Sequence, residues 1–102
     1  MAKRVVWTYP AREDLRSHLQ YLVEKSPGAA QRLFEEAEAA GDSLDELPER
    51  GRVVPELGEP HRREILVGKY RLVYRVTRDD VIILRMIHGR RDFLSAWKKK
   101  PK

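Results

Sequence analysis

The chain reads as an α+β domain of order βααβββ, a helical hairpin packed on a small twisted antiparallel sheet. Three observations predict this class. Runs rich in β-branched residues stand at the start and again after residue 60. Between them, two proline-marked starts each open a stretch with a 3.6-residue apolar rhythm. The late apolar runs are separated only by short turn segments, as in a meander.

KRVVW predicts the first strand, because Val5, Val6 and Trp7 suit a pleated surface. Thr8 or Tyr9 with Pro10 then marks a helix start, since Pro in the first turn lacks only an N–H that would have no partner anyway. Leu15, Leu19 and Leu22 form one stripe of a helix running to about Lys25. His18 sits beside that stripe, a position that suits a structural histidine. Ser26-Pro27 repeats the start signal, with the Ser hydroxyl placed to accept from an orphan N–H. Ala30, Leu33, Phe34, Ala37, Ala40, Leu44 and Leu47 carry a second helix through Gly41 to a stop at Pro48. Gly41 costs about 1 kcal/mol relative to Ala and predicts a soft spot rather than a break.

The connector ERGRVVPELGEPH leads into RREILV, GK, YRLVYRV, TRDD and VIILRMI, three strands joined by short turns. Alternation in YRLVYRV puts Tyr70, Leu72, Tyr74 and Val76 toward the helices and Arg71, Val73 and Arg75 on the opposite face, which is expected to be open. Arg85 joins those arginines if the register pairs even positions with even. VIILRMI is apolar on both parities, so the register stays undetermined.

Length and composition bound the rest. At 102 residues there is room for one domain, expected over 1–97, with a basic tail at 98–102 that should fray. No cysteine is present, which excludes disulfides and thiolate metal sites. No segment approaches the roughly 18 apolar residues of a membrane span, and MAKRVVWTYP carries no leader-like apolar run, so a cytoplasmic protein without membrane partners is expected. Phosphate-loop, dinucleotide-binding and His/Glu metal motifs are absent, and no cofactor is expected. Residues 1–60 hold 8 Lys/Arg against 12 Asp/Glu, whereas residues 61–102 hold 13 against 4. The later part therefore suits polyanions or acidic protein segments.

Arginines on a sheet face suit phosphate or carboxylate, because the guanidinium fork offers paired donors and keeps its charge. Arg71, Arg75, Arg85, Arg90 and Arg91 are the anion- or target-binding candidates. Cleavage of RNA needs a base, an acid and cations for the phosphorane, and His88, Glu64, Lys69 and Tyr74 are available types. His88 is as readily a strand-end imidazole bonded to backbone, Gly89 a bend, and Asp92 an ion-pair partner of a neighbouring arginine. His61 lies in the connector with no partner in view. Trp97 before three lysines either stacks a base or closes the core.

Taken together, GRVVPELGEPHRREILVGKYRLVYRV and IHGRRDF resemble the RelE/ParE superfamily of bacterial type II toxin–antitoxin toxins, over nearly the whole chain. The resemblance implies the βααβββ toxin fold and a protein that poisons its own cell unless a cognate antitoxin, through an acidic or amphipathic segment, binds it in a hetero-oligomer. RelE-type members cut mRNA in the ribosomal A site; ParE-type members inhibit DNA gyrase without known catalysis and are associated with plasmid stabilization. Arg71 and Arg91 match arginines of the ribonuclease pattern, with His88 and Lys69 as further candidates. Glu64 stands where a ribonuclease member carries lysine, and Trp97 about where its tyrosine would be. Those departures favour inhibition of gyrase by binding. A ribosome-dependent endoribonuclease is the alternative, and a non-toxic partner-binding or DNA-associated derivative of the fold the third reading.

Overall fold

The two helix starts are built alike in the computed structural model, which describes residues 2–99. After strand β1 (Arg4–Trp7), Thr8 caps helix α1 (Tyr9–Lys25) by accepting from the Ala11 N–H at 3.3 Å. Its hydroxyl also donates to the Ile83 carbonyl at 2.7 Å, which pins the helix start to the sheet. Ser26 is the only residue between α1 and α2 (Pro27–Ser43). Its N–H donates to Leu22 O and ends α1, while its hydroxyl accepts from Ala29 N and begins α2. A single extended residue thus reverses the chain.

The second helix stops at Ser43, short of the Pro48 expected from the apolar rhythm. The Ser43 hydroxyl donates to Ala40 O at 2.6 Å and the Leu44 N–H turns back to Gly41 O, so the last turn tightens and closes. Leu47 consequently lies outside the helix and is exposed. Gly41 serves packing: a Cβ there would meet Trp7 Nε1 at 3.1 Å and Ile83 Cδ1 at 3.3 Å.

Four further strands follow, β2 (Arg52–Val53), β3 (Arg62–Val67), β4 (Tyr70–Val76) and β5 (Asp80–His88), and then a short helix α3 (Phe93–Lys98). The sheet order is β1-β5-β4-β3-β2. The meander β3-β4-β5 is antiparallel as expected, with Gly68 at φ 59° making the tight turn between β3 and β4. β1 joins β5 in parallel, so the sheet is mixed rather than wholly antiparallel. β2 and α3 are too short to show a period in the sequence. Lys98 closes α3, and the last three residues of the expected 98–102 tail lie outside the described residues.

A bulge explains why VIILRMI is apolar on both parities. Val73 pairs with Arg85 but Tyr74 pairs with Ile83, so Leu84 is an extra residue on β5. Before the bulge Val81 and Ile83 face the helices; after it Met86 does, while Arg85 and Ile87 pass to the other face. Both faces are covered. Leu33, Ala37, Leu44, Leu72, Tyr74, Val81, Ile83 and Met86 form the core under the hairpin. Val54, Val73, Ile87, Phe93 and Ala96 form a second, smaller one beneath α3 and the connector. The face expected to be open is therefore roofed.

One position in the connector tolerates no side chain. A Cβ on Gly51 would stand 2.5 Å from Glu64 O and 2.7 Å from the Tyr74 hydroxyl, to which the Gly51 N–H donates at 3.0 Å. Gly51→Ala is expected to cost about 2–4 kcal/mol, from overpacking plus the lost hydrogen bond. The check is a urea midpoint that falls with the slope unchanged; an unaltered midpoint contradicts it.

Candidate functional site

Arg71 does not project into solvent. Although alternation puts it on the face away from the hairpin, it is 9% exposed and its guanidinium lies 4.3 Å above the Phe93 ring. Its Nη1 and Nη2 donate to Glu56 at 3.0 and 2.6 Å, and its Nε donates to Glu64 at 2.7 Å. The other Glu64 oxygen accepts from Arg52 at 2.7 Å. Arg52, Glu64, Arg71 and Glu56 thus alternate in sign along one chain of charge-assisted bonds. The bond from Arg71 holds the Glu56 carboxyl below the usual carboxylate range, and the same bond raises Arg71 further from neutrality. Glu64 is only 2% exposed and is enclosed between the two arginines.

Arg85 is buried for a different purpose. Its Nε and Nη2 clasp Asp14 of α1 at 2.7 and 3.1 Å. Its Nη1 donates to the carbonyls of Ala96, Trp97 and Lys99, which closes the C-terminal end of α3. Asp14 is shared with the sheet edge. β1 pairs with Asp80–Ile83, so beyond Ile83 the outer edge of β5 has no strand beside it among the described residues. There Asp14 accepts from Met86 N at 2.8 Å, and one turn along α1 His18 Nε2 lies 2.7 Å from Met86 O. A carbonyl only accepts, so Nε2 carries the hydrogen. Helix side chains thus cap the edge in place of a strand.

The remaining cations divide between the two ends of the sheet. Arg75 is exposed at the far end of β4, near Arg78 of the following turn. Lys69, Arg90 and Arg91 are exposed at the opposite end, where Gly89 N donates to Lys69 O at 2.8 Å. His88 stands at that corner, its Nδ1 accepting from Arg90 N at 3.1 Å and its ring edge-on to Tyr70. Asp92 is the residue before α3 and makes no side-chain cap bond. Trp97 stacks on Phe93 at 5.6 Å, with the Arg62 guanidinium 5.7 Å from the Trp97 ring centre, closing the second core. Tyr74 is fully buried, and burial pushes its phenol upward, away from acid–base use.

The single basic face expected from Arg71, Arg75, Arg85, Arg90 and Arg91 is therefore not formed. The structure keeps Arg90 and Arg91 together with Lys69 and His88, separates Arg75 from them by the length of β4, and withdraws Arg71 and Arg85 into ion pairs. Sequence reasoning missed Asp14 and Glu56. Asp14 does sit four residues before His18, a spacing that puts both on one helix face.

Burial lowers the His18 pKa from its ordinary 6.5, against the Met86 bond and Asp14, which raise it; His88 and Arg91 lower it further. A base with a depressed folded pKa stabilises fully above its unfolded pKa and loses that contribution as pH falls below it. Stability is expected to decline from about pH 6.5 downward. His18→Gln, which keeps an N–H donor, should flatten that slope in melts from pH 7.5 to 5; an unchanged slope rejects the assignment.

Comparison with known proteins adds to the geometry. The family model described as the ParE toxin of type II toxin–antitoxin system, parDE, matches residues 5–93. The chain is similar to Toxin RelE2 of Caulobacter vibrioides, 39% identical over 88 residues that cover 86% of this chain and 97% of the relative. It is also similar to Toxin RelE1 of the same bacterium, 38% identical over 93 residues, covering 87% and 96%. Among solved structures, the chromosomal ParDE system from P. aeruginosa shares the fold at TM-score 0.64 and 22% identity, over 85% of this chain and 96% of that one. The toxin–antitoxin complex RelBE2 from Mycobacterium tuberculosis gives TM-score 0.57 and 30% identity, over 86% and 99%.

Proposed function

Because the chain belongs to the ParE toxin family of type II toxin–antitoxin systems, we propose that it arrests growth by binding DNA gyrase and not by cutting mRNA. One observation carries the choice. A ribonuclease needs free cations where phosphate charge develops, and here Arg71 spends all three of its guanidinium nitrogens on Glu56 and Glu64. Names do not decide it, since the family model is named for ParE while both relatives are named RelE. Lys69, Arg90 and Arg91 form the exposed basic corner that we assign to target contact, through electrostatic complementarity.

A cognate antitoxin is the second partner. The RelBE2 neighbour is a toxin–antitoxin complex, and two features of this chain suit such an occupant: the excess of Lys/Arg after residue 60, and a groove between α1 and α2 walled by Leu19, Val23, Ala30 and Phe34. An amphipathic, acidic segment satisfies both.

The test is to induce the chain alone in bacteria and follow plasmid supercoiling and transcript ends together. Growth arrest with altered supercoiling and intact transcripts is expected. Codon-phased mRNA cuts with unaltered supercoiling establish the ribonuclease instead; absence of any growth defect establishes a non-toxic derivative. The double change Arg90→Ala with Arg91→Ala should weaken gyrase binding by roughly tenfold or more. Its melting temperature should not move, because neither side chain has a partner among the described residues. Full toxicity in that variant removes the corner from the target surface.

A further inference from the structure

A polar cleft of about 560 Å³ opens at the end of the sheet opposite the Arg90 and Arg91 corner. Its walls come from four separate stretches: Lys3 ahead of β1, Pro48 and Glu49 after α2, Glu59 and His61 ahead of β3, and Arg75 to Arg78 at the turn from β4 to β5. The turn is held rigidly. Thr77 N donates to Asp80 O at 2.9 Å, Asp80 N donates to the Thr77 hydroxyl at 3.0 Å, and Lys3 Nζ donates to the Thr77 and Arg78 carbonyls at 2.8 and 2.6 Å.

Two cations of the cleft are unpaired, as Arg90 and Arg91 are at the opposite corner, but here they share a cavity. Arg71, Arg85, Arg52 and Arg16 are each committed to a carboxylate. The side chains of Arg75 and Arg78 make neither a hydrogen bond nor an ion pair among the described residues, and both line this one cavity. Two carboxylates also stand on its wall, each in a loose ion pair, Glu59 with Arg62 at 3.5 Å and Glu49 with Arg63 at 3.9 Å. Lys3 keeps its charge at the wall while its donors fix the turn. Two unpaired guanidinium groups, an ammonium and an imidazole, against two carboxylates, therefore line a space with apolar patches at Pro48 and Val76 and a net excess of positive charge. Paired forks recognise the oxygens of a phosphate, and the apolar walls suit the body attached to it.

We infer that this cleft is a phosphate site for a nucleoside phosphate, either free or at the end of a nucleic-acid strand, with Arg75 and Arg78 as its anion ligands. The volume matches that use, since small-ligand sites occupy roughly 300–1,000 Å³. The site is separate from the basic corner assigned to gyrase contact and does not depend on that assignment.

The experiment titrates the purified full chain by calorimetry with inorganic phosphate, a nucleoside 5′-monophosphate, and a short oligonucleotide with and without a 5′-phosphate. Saturable binding of the monophosphate is expected at roughly millimolar concentration or below, stronger than that of inorganic phosphate. Arg75→Gln and Arg78→Gln should each weaken it about tenfold, and the salt dependence should fall in step. Both side chains are exposed and unbonded, so the variants should keep the circular dichroism spectrum and melting temperature of the parent. Binding of the 5′-phosphorylated strand but not its 5′-hydroxyl counterpart identifies a strand end as the source; binding of the monophosphate alone identifies a free nucleotide. No saturable binding of any probe overturns the proposal. So does binding that survives both variants, or that falls equally in Arg90→Gln with Arg91→Gln.

Discussion

Asp14→Ala is expected to remove about 3–5 kcal/mol of stability, a large share of the roughly 5–15 kcal/mol that holds a domain of this size together. The carboxylate takes the Arg85 fork at 2.7 and 3.1 Å and the Met86 N–H at 2.8 Å, with Asp14 and Arg85 each 8% exposed. Its removal leaves a buried cation without a counter-charge and an edge amide without an acceptor, and each is costly in low dielectric. Arg85 would then still close α3 through three carbonyls, so the damage should spread from the β5 edge. The measurement is a urea or thermal midpoint. A second variant separates the ion pair from simple crowding: with both Asp14→Leu and Arg85→Met, much of the loss should return, because two apolar side chains leave no orphaned charge. A single Asp14→Ala loss below about 1 kcal/mol shows that the pair is solvated in solution and the account wrong.

Glu64→Lys carries the second large effect, and it speaks to function. It installs the residue type that the family resemblance implies for a ribonuclease at this place. In this chain the new ammonium would stand between Arg52 and Arg71, each now 2.6–2.7 Å from a Glu64 oxygen, at a site only 2% exposed. Like charges without water cost several kcal/mol, so a loss of about 3–5 kcal/mol or failure to fold is expected. Glu64→Gln should lose less, because an amide oxygen still accepts from one arginine. A Glu64→Lys protein that melts like its parent, and cuts mRNA when induced, refutes both the buried network and the reading of Glu64 as a block on catalysis.

Much of the fold was legible because it is set by neighbours in the chain. Thr8 and Ser26 cap helices through N–H groups three residues on, and their prolines need no partner elsewhere. Alternation in β4 correctly turned Tyr70, Leu72 and Tyr74 to the hairpin core. The stop at Pro48 failed because the Ser43 hydroxyl and the carbonyl of Gly41 end the helix first, a competition that apolar spacing does not register. α3, six residues long, is held by Phe93 and by Arg85 from another strand, so no periodicity announces it.

The candidate site was legible by residue type and not by arrangement. Arg71 and Arg75 occupy equivalent places in YRLVYRV, yet one is buried and the other exposed. What separates them is Glu56, brought across from the connector, Glu64, supplied by the neighbouring strand, and Phe93, supplied by α3. Arg85 reached the interior only because one extra residue at Leu84 switched the parity of β5. The sequence by itself determined the starts of α1 and α2, the strands of the meander and the sign of the charge after residue 60. Only the tertiary structure decided which arginines keep that charge free, because a guanidinium is neutralised by carboxylates within a few ångströms in space, and those lie 7, 15 and 71 residues away along the chain.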